Sequence, residues 1–104
     1  MRITIAHNKP KQEVIDSIDR GFDDVFKMEG LPIKLALEQK SWQGSTMTFA
    51  LNAKIAFMSS PIKGTVDVTD RDVTIDADLG MFERFVTEDK VRDVLSTRFK
   101  GLLN

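Results

Sequence analysis

The middle of the chain, from residue 33 to residue 79, alternates apolar and polar residues over four successive stretches. A period of two places the apolar side chains on one face of a β-strand and the polar ones on the other. The stretches are separated by Gln43-Gly44-Ser45, Ser59-Ser60-Pro61 and Asp70-Arg71, which are typical of turns. The pattern therefore predicts four consecutive antiparallel strands with one buried face.

The register between these strands follows from their inward-facing residues. If Phe57 opposes Ile62, then Ile55 opposes Gly64. If Val68 opposes Val73, the next pair of strands is also matched, with every inward residue facing another inward residue. Since a slip of one residue would turn a whole strand over, we expect this register.

A strand and a helix precede the sheet. Residues 1–6 alternate and predict a short strand. From Val14 to Phe26 the apolar residues recur at the spacing of one helix face. Asn8 is a candidate N-cap and Pro10 fits the first turn, whereas Gly30 and Pro32 are predicted to end the helix.

A second amphipathic helix closes the sequence, with apolar residues from Val91 to Leu103 and Thr87 as its candidate N-cap. The chain is therefore predicted to be one α+β domain, residues 1–104, in the order β-α-β-β-β-β-α. We expect a two-layer sandwich, a five-stranded antiparallel sheet with both helices on one face. The first strand pairs either with the second in parallel or with the last in antiparallel fashion. We favour the latter, order 1-5-4-3-2, a reduced form of the helix-grip arrangement.

Composition excludes several classes of function. The 15 basic and 16 acidic residues among 104 give a net charge of -1, so we expect no nucleic-acid partner. The absence of cysteine excludes thiolate chemistry and disulfides. No apolar run approaches the roughly 20 residues of a membrane-spanning helix, and the N-terminus does not resemble a secretory signal. A cytoplasmic location is the resulting expectation.

His7, the one histidine, follows the first strand. A general base needs an orienting partner and a nucleophile to activate, and no serine lies in a nucleophile motif. We therefore favour a structural role, hydrogen bonding near the helix start, over catalysis. Phosphate loops, dinucleotide fingerprints and histidine metal sites are also absent, so neither catalytic residues nor a cofactor are predicted.

Five carboxylates fall within twelve residues: Asp67, Asp70, Asp72, Asp76 and Asp78. Oxygen ligands suit calcium or magnesium, but this spacing does not match a calcium loop. Asp67, Asp76 and Asp78 are predicted to point outward from the sheet. We interpret the group as a solvated acidic face that discourages aggregation, without a metal.

Trp42, the single tryptophan, is out of phase with the inward residues Leu35 and Leu37. Either a bulge returns its side chain to the core, or the side chain lies on the far face or in the loop as an exposed anchor. The core alternative is favoured.

An apolar cluster lies between the last strand and the second helix, and its members include Met81, Phe82 and Phe85. The cluster belongs either to the core, which is favoured, or to a lid or contact surface for an apolar partner. The candidate binding residues of the chain are thus His7, Trp42, Met81, Phe82 and Phe85.

Several of these features occur together in one known family. The strand ending in His7, the Trp42-Gln43-Gly44 turn leading to Met47-Thr48-Phe49, the 62–68 and 73–79 strands, and the closing helix resemble the polyhydroxyalkanoic acid system proteins. These are small bacterial proteins associated with polyhydroxyalkanoate storage granules. The resemblance covers essentially the whole chain and implies a setting, with no catalytic residues to transfer. Gly80 stands where the family commonly has a proline.

Three hypotheses follow. The favoured one is a non-enzymatic protein of the polyhydroxyalkanoate system that contacts the granule or a granule-associated protein through apolar surface. The alternative is a domain binding acyl or hydroxyacyl ligands in a cavity beside Ala53, Gly64 and Ala77, unless Phe49, Phe57 and Phe99 fill that space. The least favoured is an enzyme with His7 as base. An edge strand and an exposed tryptophan would also favour a homodimer.

Overall fold

A computed structural model of the chain describes residues 1–25, 34–80 and 88–103. In chain order the elements are strand β1 (Arg2–Ala6), helix α1 (Lys11–Val25), strands β2 (Lys34–Gln43), β3 (Thr46–Ile55), β4 (Met58–Val68) and β5 (Asp72–Asp78), and helix α2 (Glu88–Leu103). The predicted α+β order of strand, helix, four strands and helix is therefore confirmed.

The five strands form one antiparallel sheet in the order β1-β5-β4-β3-β2. β1 lies beside β5, so the favoured strand order is confirmed. The two edges of the sheet, β1 and β2, are consecutive strands in the sequence with α1 between them. The interpretation of this order as a reduced helix-grip arrangement stays a prediction.

Both helices contribute to a core on one face of the sheet. Three aromatic rings join the layers: the ring centroid of Phe22 on α1 lies 5.1 Å from that of Phe49 on β3 and 6.3 Å from that of Phe99 on α2. Each helix buries one stripe at the spacing of its turns: Val14, Ile18, Phe22 and Val25 on α1, and Leu95, Phe99 and Leu103 on α2. This is the two-layer arrangement that the patterns predict.

The opposite face of the sheet is polar. One row of register neighbours crosses all five strands on this face: Thr4, Thr74, Asp67, Thr46 and Gln43. Threonine suits such a surface because its branched side chain favours a strand while its hydroxyl remains hydrated. The core therefore lies between this sheet and the helices alone.

The start of α1 differs slightly from the prediction. The Pro10 carbonyl accepts the Val14 N–H at 3.2 Å, so the proline directly precedes the helix. Asn8 lies too early in the chain to act as the N-cap. The predicted helix end at Gly30 and Pro32 and the predicted cap at Thr87 lie outside the described residues.

The predicted register between β3 and β4 is wrong. Ile55 pairs with Met58 across a two-residue turn, and Gly64 faces Phe49 rather than Ile55. The Ser59-Ser60-Pro61 sequence lies inside β4. There β4 has a partner on one side only, because its pairing with β5 begins at Lys63, and proline is tolerated on such an edge.

The predicted register between β4 and β5 is confirmed. Val68 faces Val73, Asp67 faces Thr74 and Lys63 faces Asp78. The tight connection at residues 69–71 explains why the sequence defines this pair well: the turn leaves little freedom to place the second strand.

Candidate functional site

His7 directly follows β1 and connects the loop before α1 to the β4–β5 turn. Its backbone N–H donates to the Arg71 carbonyl at 2.8 Å. The Lys9 N–H donates to Nδ1 at 3.2 Å, and Nε2 lies 2.8 Å from the Thr69 carbonyl oxygen. Because Nδ1 accepts, we place the ring proton on Nε2, which then donates to Thr69. Backbone groups thus engage both ring nitrogens, which agrees with the predicted structural role.

The acidic residues of β4 and β5 bond to neighbouring protein groups. Four of the five carboxylates accept hydrogen bonds: Asp67 from Thr46, Asp72 from Thr69, Asp76 from Arg2 and Asp78 from the Gly80 N–H. Across residues 1–25, 34–80 and 88–103, no group of three or more histidines, cysteines or carboxylates is placed to hold a metal ion. These four side chains are thus engaged by strand neighbours or by nearby turns.

Trp42 reaches the core face because β2 contains a bulge. The pairing of β2 with β3 shifts between Leu37 and Gln39, which leaves Glu38 as an extra residue. Beyond the bulge the alternation is reversed, so Trp42 faces Met47 and its half-buried ring packs against the core. The predicted bulge is confirmed, and the alternative of a tryptophan on the far face is wrong.

The indole of Trp42 belongs to a cluster of three side chains that joins β2 to α1. Its Nε1 donates to Asp19 Oδ1 at 2.9 Å. Lys40 Nζ donates to the Asp19 backbone carbonyl at 2.8 Å and lies 3.1 Å from Oδ1. The hydrogen bond from Lys40, followed by that from Trp42, lowers the pKa of the Asp19 carboxyl. We call this group the Asp19 clasp.

The Asp19 clasp links the edge strand β2 to helix α1 at the protein surface. Its carboxylate remains 49% exposed, so solvent screens the ion pair with Lys40. Asp19 and Lys40 were not predicted from the sequence, since each resembles an ordinary surface charge. Their proximity depends on the bulge, which brings Lys40 as well as Trp42 to the face that α1 covers.

Met81, Phe82 and Phe85, the remaining candidate binding residues, lie outside the described residues. Their predicted role as core, lid or contact surface stays a prediction.

The exposed apolar residue that sequence reasoning missed is Phe57. Its side chain is 96% exposed, and it is the one exposed large hydrophobic residue in the described part of the chain. It occupies the turn between Ile55 and Met58, at the far end of the β3–β4 hairpin. The prediction that Phe57 fills the core is therefore wrong. A signal was present: Ile55 to Met58 are four consecutive apolar residues, which breaks the alternation of the surrounding strands.

The neighbouring residue of this turn is strained. Ala56 has φ of 54°, in the left-handed region, which costs a non-glycine residue about 1–2 kcal/mol. Glycine or asparagine would satisfy such a turn at lower cost. A strained alanine and an exposed phenylalanine are therefore adjacent in this turn, and neither residue stabilises the fold. Strained backbone of this kind is enriched at functional sites, which makes the turn a candidate contact site.

The core face at Gly64 is closely packed. A Cβ at Gly64 would lie 2.5 Å from Phe49 Cζ and 2.5 Å from the Asp76 backbone oxygen. The small residue therefore accommodates the Phe49 ring and the adjacent strand. This contact gives no support to a cavity at that position, and the ligand-binding alternative stays a prediction.

Comparisons of the chain with protein-family models, with curated proteins and with solved structures found no match. The resemblance to the polyhydroxyalkanoic acid system proteins therefore stays a prediction. At Gly80, where that family commonly has proline, φ is +58°, which a proline ring cannot adopt. Among the described helices, none is long and apolar enough to cross a membrane.

Proposed function

We propose that this protein is a non-enzymatic component of a polyhydroxyalkanoate system that contacts the storage granule, or a protein on it, through exposed apolar surface. The observation that carries the proposal is Phe57, whose side chain is 96% exposed at the end of the β3–β4 hairpin. Covering a large apolar side chain contributes roughly 1.5–3 kcal/mol to an association. The resemblance in sequence supplies the setting.

The contacts of His7 support the non-enzymatic part of the proposal. A general base must present a free nitrogen to the proton that it removes. Here Nδ1 accepts from Lys9, and Nε2 is occupied by the Thr69 carbonyl. A base role would first require breaking contacts that join β1 to the β4–β5 turn.

Co-sedimentation of the purified protein with native granules tests the proposal. We expect enrichment over a soluble protein of matched size and a marked reduction in Phe57→Ser. Because Phe57 lies outside the core, this change should leave the free energy of unfolding within about 0.5 kcal/mol of the original. Val94→Ser on α2, a half-exposed apolar residue outside the core cluster, is the matched control and should sediment like the unchanged protein.

Two results would count against granule contact through this residue. One is a lack of enrichment of the unchanged protein, and the other is equal enrichment of Phe57→Ser. Granules stripped of their proteins distinguish the two forms of contact: retained binding indicates the polymer or its surface layer, and lost binding indicates a granule-associated protein.

A further inference from the structure

We propose that the hairpin tip, residues 55–58, docks on a phospholipid surface that carries anionic head groups. This inference rests on the proposed function in that it assigns a surface chemistry to the same Phe57 contact. It depends on three observations: the shape of the tip, a pair of opposed lysines beside it, and the absence of acidic residues from the part of the hairpin nearest the tip.

The tip is convex and small. It consists of Ile55, Ala56, Phe57 and Met58; Phe57 is its one exposed large apolar side chain, and Ile55 and Met58 are partly buried. An aromatic side chain buries about 150–250 Å², whereas a specific protein interface buries about 1,200–2,000 Å² in total. A protein partner would need a pocket for the ring and further contacts around it. A lipid interface deforms around an inserted apolar side chain, so it needs neither a pocket nor further specific contacts.

Two lysines lie directly opposite one another next to the tip. Lys34 on β2 and Lys54 on β3 are register partners, and both are exposed. Like charges at opposed positions destabilise a sheet. Neither lysine forms an ion pair with a carboxylate in the described part of the chain. An anionic head group placed beside them would remove the repulsion, so this pair favours a negatively charged surface.

The charge of the hairpin near its tip has the same sign, although the whole chain has a net charge of -1. From Thr46 to Val66 the β3–β4 hairpin contains Lys54 and Lys63 and no aspartate or glutamate, and Lys63 lies opposite Asp78 on β5. The one acidic residue of these two strands, Asp67, lies at the open end of the hairpin, away from the tip. A molecule of this charge distribution is oriented with its hairpin tip toward an anionic surface, where each lysine adds attraction.

The turn itself keeps the aromatic ring outward. Ala56 at φ 54° closes the turn in two residues, so Ile55 and Met58 pair with each other. Phe57 consequently projects beyond the last strand pair rather than folding back on the core. Phe57 supplies the apolar contact and Lys34 with Lys54 supplies the electrostatic one.

The test uses the full chain and sedimentation of vesicles made of phosphatidylcholine alone or mixed with phosphatidylserine. We expect binding to the mixed vesicles, weakened by added salt. Phe57→Ser should lower the partition coefficient at least about tenfold. In Lys34→Ser/Lys54→Ser, the loss of each lysine should lower the partition coefficient roughly fivefold. The control Lys90→Ser/Lys100→Ser changes net charge equally on exposed positions of α2 and should bind like the unchanged protein.

The inference is overturned if the unchanged protein does not bind the mixed vesicles. It is also overturned if Lys34→Ser/Lys54→Ser and Lys90→Ser/Lys100→Ser lower vesicle binding equally. Its failure is distinguishable from failure of the proposed function. Granule binding that depends on Phe57 without vesicle binding refutes the lipid inference alone. Vesicle binding that depends on Phe57, Lys34 and Lys54 without granule binding refutes the granule function alone. Circular dichroism of each variant establishes that the fold is retained.

Discussion

Trp42 on the edge strand β2 donates its indole N–H to the carboxylate of Asp19 on α1, with 2.9 Å between Nε1 and Oδ1. Lys40, two residues earlier on the same strand face, bonds the same residue. The edge strand is therefore attached to the helical layer by polar contacts as well as by packing. These polar contacts can be removed by substitution without changing the three aromatic rings of the core.

Trp42→Phe retains an aromatic ring but removes the N–H that bonds Asp19. We expect the free energy of unfolding, measured by urea denaturation, to fall by about 1 kcal/mol. Asp23→Asn on the exposed face of α1 is the control and should have little effect. In a cycle with Asp19→Ala, the loss in the double variant should be smaller than the two single losses together. Additive losses would show that the two residues do not interact.

The Asp19 clasp should also make stability depend on pH. Hydrogen bonds from Lys40 and Trp42 lower the pKa of Asp19 in the folded state, so the unfolded chain binds its proton more readily. The contribution is fully present above about pH 4 and is lost as the pH falls through the lowered pKa. Because the carboxylate is half exposed, its size should be at most about 1 kcal/mol.

The matched variant for this pH effect is Asp19→Asn, which cannot ionise. We expect the difference in free energy of unfolding between it and the unchanged protein to shrink between about pH 6 and about pH 3. Urea titrations at several pH values measure that difference. A difference that stays constant over this range would contradict a lowered pKa at Asp19.

Gly64→Ala should destabilise the sheet by roughly 1–3 kcal/mol through overpacking. The added methyl group would meet the Phe49 ring and, less easily displaced, the Asp76 backbone oxygen. Gly101→Ala on α2 is the control, because its added methyl group would have nothing within 4 Å beyond the helix's own backbone and its chain neighbours. That variant should be neutral or stabilising by up to about 1 kcal/mol. Thermal unfolding measures the stability of both variants. A Gly64→Ala variant as stable as the unchanged protein would indicate free space beside Phe49.

His7→Phe should lower stability and leave granule binding unchanged. The substitution keeps a ring but removes the bonds to Lys9 and Thr69, which together contribute about 1–2 kcal/mol. Chemical denaturation and granule co-sedimentation, run on the same preparation, separate the two properties. His7→Gln, which can still donate to the Thr69 carbonyl, should lose less. If His7→Phe is as stable as the unchanged protein, the structural role assigned to His7 is wrong.

Face patterns in the sequence were sufficient for the architecture but not for the β3–β4 register. Gly64 was predicted opposite Ile55 and lies opposite Phe49, a slip of six residues. An even slip keeps every inward side chain inward, so alternation fits both registers equally well. The deciding feature was the turn, and the left-handed φ of Ala56 is not what the propensity of alanine indicates.

The candidate site was only partly predictable from the sequence. The phase error at Trp42 was visible in the sequence, and a bulge resolves it as predicted. The contact of Trp42 with Asp19 was not visible, because it joins residues on different elements. Phe57 was assigned to the core since every second residue from Met47 to Phe57 is apolar, whereas its exposure depends on where the turn begins.

The bulge at Glu38 also affects the outer side of β2. A regular ten-residue edge presents a row of unpaired N–H and C=O groups on which a strand from another molecule can add. The extra residue interrupts the spacing of that row and bends the strand. The irregularity that brings Trp42 inward thus also makes the outer side of β2 a poorer template for a strand from another molecule.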